Sequence, residues 1–123
     1  MDNEKIISDI REKWDARKNY LGSLFQNRDK AAIVEPMDEA IEEFLTFLFL
    51  INEKRIPIPD RKMLQDSLLD LVHKPINLDE RLSFVLKKPN QYHAFIQLNE
   101  LYIELLKLNA KLKIREYKNN AQS

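Results

Sequence analysis

Hydrophobic side chains recur along this chain at steps of three and four, the spacing of helices that bury one face. The first such stripe begins near Asn3; its members are Ile6, Ile7, Ile10 and Trp14, and Leu21, Leu24 and Phe25 continue the same face. Asn19 and Gly22 weaken the middle of the stretch, so the pattern leaves open whether residues 4–27 form one bent helix or two. Residues 27–35 are interpreted as a connection.

A second helix is predicted from Pro36 to about residue 53, because a proline in the first turn has no N–H that the helix would need. Its second half, Phe44 to Ile51, is apolar nearly all round. Such a helix lies at the centre of a bundle or is covered by a partner. Since a membrane span needs about 20 apolar residues, this short run indicates a core helix and no membrane segment.

Prolines divide the segment that follows. Ile56-Pro57-Ile58-Pro59 cannot be helical, because each proline pushes its predecessor into an extended conformation. Asp60 then suits the N-cap of a third helix, and Pro75 is expected to end that helix at about His73.

Asparagines mark the starts of the last two helices. Asn77 is expected to cap a short fourth helix, with Glu80 as its partner in a capping box. Asn90 is expected to cap the fifth and longest helix, 90–116. The apolar seam of that helix alternates steps of four and three through Ala94, Leu98, Leu101, Leu105, Leu108 and Leu112.

These elements predict an all-α fold, a bundle of about five helices with the helices near 36–53 and 90–116 at its centre. A chain of 123 residues suits a single domain, 1–123. Its first few residues and about 118–123 are polar and expected to be frayed.

The residue types exclude several classes of chemistry. The absence of cysteine rules out a disulfide scaffold, a thiolate zinc site and a cysteine nucleophile, and it fits a reducing, cytoplasmic location. A single glycine cannot build a phosphate-binding loop or a nucleophile elbow. The charged N-terminal stretch does not have the apolar core of a secretory signal.

The di-iron centres of helical bundles need Glu-x-x-His on two helices and further inward-facing glutamates. Asp70 and His73 give one near match, whereas His93 is preceded at that spacing by Asn90. We therefore expect no catalytic residues, no cofactor and no metal, and we expect that the protein is not an enzyme.

Basic and acidic residues balance at twenty each, but they are unevenly placed. Residues 1–59 hold nine Lys and Arg against twelve Asp and Glu, and residues 60–123 hold eleven against eight. The basic excess collects in the last helix, where cations also complement the helix dipole. The candidate contacts for an anionic partner are Lys111, Lys113, Arg115 and Lys118, and nucleic-acid binding through them is the alternative function.

A polar and aromatic group near the start of the fifth helix is not explained by folding. Its members, the candidate interaction patch, are Arg81, Tyr92, His93 and Gln97. The first hypothesis is therefore that the protein is a non-enzymatic protein–protein interaction module with an unidentified protein partner. A homodimer is also open, because a second copy could cover the apolar second helix.

One stretch, Lys74 to Leu101, carries a likeness to a known family. The residues concerned are Lys74-Pro75, Asn77, Glu80-Arg81-Leu82, Phe84, Pro89, Tyr92-His93-Ala94, Gln97-Leu98 and Glu100-Leu101. Through them the chain, over residues 74–108, resembles the YpoC-like family, small uncharacterised proteins of Firmicutes. The resemblance implies an all-α fold and a cytoplasmic location, and it brings no activity or catalytic residue to this chain.

Overall fold

The computed structural model describes residues 3–54 and 61–122, and every regular element within those ranges is an α-helix. The helices are α1 (Asn3–Gln26), α2 (Lys30–Ile51), α3 (Arg61–Leu69), α4 (Leu78–Lys87) and α5 (Tyr92–Gln122). The predicted all-α fold of five helices is confirmed. None of the described helices combines the length and the apolar character that a membrane crossing requires.

α1 is one continuous helix of 24 residues, which decides between the two forms that the sequence left open. Trp14 is buried on the face it shares with Ile10 and Leu21. Gly22 has open space where a side chain would begin, so no close approach requires glycine there. Packing along α2 outweighs the helix propensity that this glycine loses, about 1 kcal/mol relative to alanine.

α2 begins at Lys30, so the prediction that residues 27–35 form a connection is wrong. Asp29 is the N-cap, and its carboxylate accepts a hydrogen bond of 3.3 Å from the backbone N–H of Ala32. Pro36 therefore lies inside the helix and leaves a carbonyl one turn back without its helical donor. The burial of Ile33 offsets this cost, because its side chain is completely enclosed.

The apolar second half of α2 is covered within a single chain. Phe47, Phe49 and Leu50 are all buried in the same core as the leucines of the other helices. These residues consequently give no reason for a second copy to cover α2.

Three aromatic rings join α1, α2 and α5. Tyr102 stacks on Trp14 with ring centroids 4.3 Å apart and planes within 5°. The same ring meets Phe44 edge-on at 5.2 Å, and its hydroxyl donates a hydrogen bond of 2.6 Å to the carbonyl of Ala40. Burial raises the pKa of the Tyr102 hydroxyl above its ordinary value, and the nearby charge of Arg17 partly opposes that rise.

α3 ends at Leu69, so the prediction that it extends to about His73 is wrong. His73 lies instead in the connection to α4, where Asn52, the C-cap of α2, holds its backbone. Asn52 Oδ1 accepts from His73 N, and Asn52 Nδ2 donates to His73 O and to Leu48 O, each at 2.8 Å. The predicted cap Asp60 and the proline segment 56–59 lie outside the described residues.

The predicted capping box of α4 does not form. Asn77 takes the left-handed conformation, with φ at 56° and ψ at 34°, and its side chain makes no capping hydrogen bond. Asparagine is tolerated there because its short polar side chain suits left-handed backbone. Glu80 is exposed in the first turn of α4, where its charge still complements the helix dipole.

α5 is longer than the predicted 90–116. It begins at Tyr92, with the carbonyl of Gln91 accepting the first helical hydrogen bonds, so the predicted cap at Asn90 is wrong. The predicted seam is buried at Ala94, Leu98, Leu101 and Leu105 and becomes partly exposed at Leu108 and Leu112. From Lys113 to Asn120 every residue is exposed.

Replacing Tyr102 with phenylalanine is expected to lower the free energy of unfolding by about 1 kcal/mol, because the ring stays and the buried hydrogen bond goes. The pKa of Tyr102 is raised in the fold, so the contribution of its hydroxyl is complete below about pH 10 and is lost as the pH rises further. Urea unfolding between about pH 7 and pH 11 measures the difference. Tyr20→Phe, at an exposed site, is the control, and a difference that stayed constant across this range would contradict the linkage.

Asn52→Asp is expected to destabilise the fold by about 2 kcal/mol. The change removes the donor that serves His73 and Leu48, and it places a carboxylate at the negative end of the α2 dipole. Thermal or urea unfolding measures the loss. Asn19→Asp on the exposed side of α1 is the matched control and should stay within about 0.5 kcal/mol; equal effects of the two changes would argue against the clamp.

Candidate functional site

Arg81, the first residue of the candidate interaction patch, is engaged within the chain. Its Nη1 donates to Glu104 Oε1 at 2.9 Å and to the carbonyl of Ile76 at 3.0 Å, and its Nη2 donates to Glu104 Oε2. With the Gln97 amide oriented to satisfy both of its ends, the amide oxygen accepts from Nε at 2.9 Å and from Nη2 at 3.0 Å. All five guanidinium hydrogens therefore have an acceptor.

The Arg81–Glu104 ion pair is bidentate and partly buried. The Arg81 side chain is 18% exposed and that of Glu104 is 39% exposed. The hydrogen bond from Arg81 lowers the pKa of Glu104, and the reciprocal bond raises the pKa of Arg81, while burial opposes both changes. The pair fixes α4 and the loop before it onto α5.

Tyr92 lies on a different face of α5 from Glu104, about 120° away around the helix. Its ring meets Phe25 of α1 edge-on at 5.6 Å and is tilted against Phe95 at 6.1 Å. Even so, 55% of the residue is exposed. The Tyr92 ring is thus packed against two other rings on one side and exposed to solvent on the other.

His93 lies between the two halves of the patch. It is exposed, and its ring centroid is 6.5 Å from that of Tyr92. At 3.6 residues per turn, His93 shares a face of α5 with Gln97, whereas Tyr92 and Gln97 are about 140° apart around the helix. The structure therefore brings Arg81 and Gln97 together and sets Tyr92 apart, with His93 adjoining both.

The four cations predicted to contact an anionic partner are all exposed. Lys111, Arg115 and Lys118 follow one another at steps of four and three and share one face of α5. Lys113 points away from that face and lines shallow grooves beside Ile7 at the start of α1. The predicted basic end is therefore a stripe of three cations and one separate lysine.

An acidic groove between α1 and α2 escaped the sequence reasoning. It has a volume of about 810 Å³ and is lined by five carboxylates, Glu35, Asp38, Glu39, Glu42 and Glu43. Arg17 donates to Glu39 at 2.9 Å and to Glu43, and Lys13 is 3.9 Å from Glu43. The five acids recur at the spacing of one helix face. That face was not predicted, because Glu35 falls in the segment 27–35, which is interpreted from the sequence as a connection.

A second cavity, of about 630 Å³, lies between the end of α2 and the last turns of α5. Asp70 and His73, the near match to a di-iron motif, both line it, together with Glu53 and Glu116. Among the residues that the structure describes, no three His, Cys, Asp or Glu side chains are placed to hold a metal ion.

Comparison with known proteins places the chain in a family. The profile of the YpoC-like protein family matches residues 4–117, and the chain belongs to that family. The uncharacterized protein YpoC of Bacillus subtilis (strain 168) is 35% identical over 106 residues, which are 86% of this chain and 63% of that protein. The chain thus spans less than two thirds of that relative's length. No solved structure matches it.

The resemblance seen over residues 74–108 is confirmed, and it extends over nearly the whole chain. The N-terminal half, which showed no specific likeness beyond being helical, belongs to the same match. The acidic groove and the start of α5 both lie within residues 4–117.

A double-mutant cycle on Arg81→Ala and Glu104→Ala is expected to give a coupling free energy of about 1 kcal/mol, the upper end for a partly exposed pair, because the contact is two-pronged. The pKa of Glu104 is lowered in the fold, so the coupling is present above about pH 4.3 and is lost as the pH falls through the folded value.

The exposed pair Asp15–Lys18, with atoms 3.3 Å apart, is the matched control for that cycle. It should couple by less than about 0.5 kcal/mol. Urea unfolding at about pH 7 and about pH 3 supplies the free energies. Equal coupling in the two pairs, or a value for Arg81 and Glu104 that does not change with pH, would contradict the role given to them.

Proposed function

We propose that this chain is a non-enzymatic protein–protein interaction module that binds its partner through Tyr92 and His93 at the start of α5. The observation that supports this most is the exposed yet supported ring of Tyr92, which rests on Phe25 and Phe95. The proposal requires no cofactor and no metal. A cytoplasmic location suits the absence of cysteine.

A supported tyrosine is well suited to a protein contact. Tyrosine is enriched among the residues that dominate binding energy, since it offers a large apolar ring and a hydroxyl for a hydrogen bond. Because Phe25 and Phe95 already restrict the Tyr92 ring, binding a partner costs little additional side-chain entropy.

The Arg81 and Gln97 half of the patch has a different part in this proposal. Every Arg81 donor is already satisfied within the chain, so a partner gains little by contacting it. Arg81 and Gln97 form a rigid polar border beside His93, and the energetic centre is at Tyr92. Rims of this kind exclude water without contributing much affinity.

Nucleic-acid binding through the basic end of α5 is the second candidate function. The exposed row of Lys111, Arg115 and Lys118 supports it. With zero net charge the chain has no long-range attraction for phosphates, and three phosphate contacts supply only a weak, strongly salt-dependent affinity. The protein partner is therefore the first proposal.

The proposal is tested by affinity capture of the tagged protein from its own cells with wild type, Tyr92→Ala and His93→Ala. A protein that depends on this surface should be depleted at least about tenfold with Tyr92→Ala and less with His93→Ala, since a central tyrosine is worth about 2 kcal/mol or more. The depleted protein is then purified and its affinity for each variant is measured by calorimetry.

Tyr20→Ala is the matched control, because Tyr20 is 56% exposed against 55% for Tyr92 and lies on α1 about 140° around the helix from Phe25. Circular dichroism establishes that all variants keep their helices. If Tyr92→Ala and Tyr20→Ala retain the same proteins with the same affinities as wild type, the proposed surface is wrong.

A further inference from the structure

We propose that the basic stripe of α5, Lys111, Arg115 and Lys118, docks into the acidic groove between α1 and α2 of a second copy of this chain. This self-association uses neither Tyr92 nor His93, so it stands or falls separately from the proposed function. Two exposed surfaces of opposite charge, on separate parts of the same chain, carry the inference.

The helix side of the contact is unpartnered. Lys111, Arg115 and Lys118 share one face of a helix end on which every residue from 113 to 120 is exposed. Within the described residues none of these three cations forms an ion pair with a carboxylate. Ile114 lies among them and is 55% exposed, so the face combines positive charge with an apolar contact.

The groove side has the opposite character. Its acids outnumber Lys13 and Arg17, and Arg17 is already bound to Glu39 and Glu43. Glu35 and Asp38 have no ion-pair partner among residues 3–54 and 61–122. Val34, which is 42% exposed, supplies apolar surface in the same groove.

The acids of the groove and the cations of α5 match in their spacing as well as in the sign of their charge. From Glu35 the acids continue at a step of three to Asp38 and a step of four to Glu42. Read backwards from Lys118, the cations follow at a step of three to Arg115 and a step of four to Lys111. An antiparallel arrangement of α5 against α2 therefore sets three opposite charges side by side.

The groove must belong to another copy, because α5 cannot reach its own. Within one chain the last turns of α5 lie beside Leu50 and Ile51 at the far end of α2. Glu35 is sixteen residues from Ile51, which is about 24 Å along a helix. A continuous helix held by Tyr102 and Leu105 cannot fold back over that distance.

Sedimentation equilibrium at about 50 mM and about 500 mM salt tests the proposal with four proteins. They are wild type, the groove variant Glu35→Lys with Asp38→Lys, the helix variant Arg115→Glu with Lys118→Glu, and the chain carrying all four changes. Wild type should associate at low salt, with a dissociation constant that rises at least about tenfold at high salt, because exposed ion pairs are screened.

Each paired reversal should weaken association by a similar factor, since it sets like charges opposite one another. The chain with all four changes should recover association, because positions 35 and 38 then carry positive charges opposite the negative charges at 118 and 115. Asp66→Lys with Glu80→Lys, an equal change of charge on α3 and α4, should leave association as in wild type. Circular dichroism checks that every variant is folded.

Wild type that stays monomeric at several hundred micromolar and low salt would overturn the proposal, as would association unaffected by both reversals or not recovered by the combined chain. Binding of labelled duplex DNA supplies the other arm. If monomeric wild type bound duplex and only the helix variant lost it, the stripe would be a nucleic-acid contact instead. Capture with Tyr92→Ala leaves both surfaces intact, so the two proposals fail independently.

Discussion

The stack of Tyr102 on Trp14 is the contact on which the rest of the arrangement depends. It joins the first and last helices of the chain, and the hydrogen bond from Trp14 to Asn99 spans 85 residues of sequence. Closing so long a loop has an entropic cost. The stacked aromatic pair offsets part of that cost, because it stabilises the fold by about 0.5–1.5 kcal/mol beyond the burial of its rings. The hydroxyl of Tyr102 donates a hydrogen bond to the carbonyl of Ala40 and so fixes the position of α2 along the axes of α1 and α5.

Hydrophobic periodicity predicted the parts of the fold that this contact organises. Trp14 and Leu98 were expected on buried faces and are buried. The start of α2 was missed because the preference against proline inside a helix is local, about 3 kcal/mol, whereas the burial of Ile33 is a tertiary effect. The end of α3 was missed for a related reason: Asn52, far away in sequence, supplies hydrogen bonds to His73 that helix continuation would otherwise have provided.

In the candidate site, relations within one helix could be predicted from the sequence, whereas contacts between helices could not. Spacing along one helix relates His93 to Gln97, and that relation holds in the structure. The acceptor of Arg81 could not be chosen from the sequence, because Glu104 is brought to it by the packing of α4 on α5. Grooves are still harder to foresee, since the groove beside Glu35 exists only where two helices lie side by side.

The two ends of α5 differ because the core stops partway along the helix. Residues up to Leu105 are fixed by packing, and the turns beyond are helical because extending a formed helix adds one hydrogen bond per residue without the cost of nucleation. The basic end therefore needs no partner in order to form. Changing its charges alters the electrostatic surface of the helix end and leaves the core seam untouched, so the proposed association can be tested without disturbing the fold. The start of α5 is the reverse, because Tyr92 packs against Phe95 of the core and against Phe25, which is itself packed on the core.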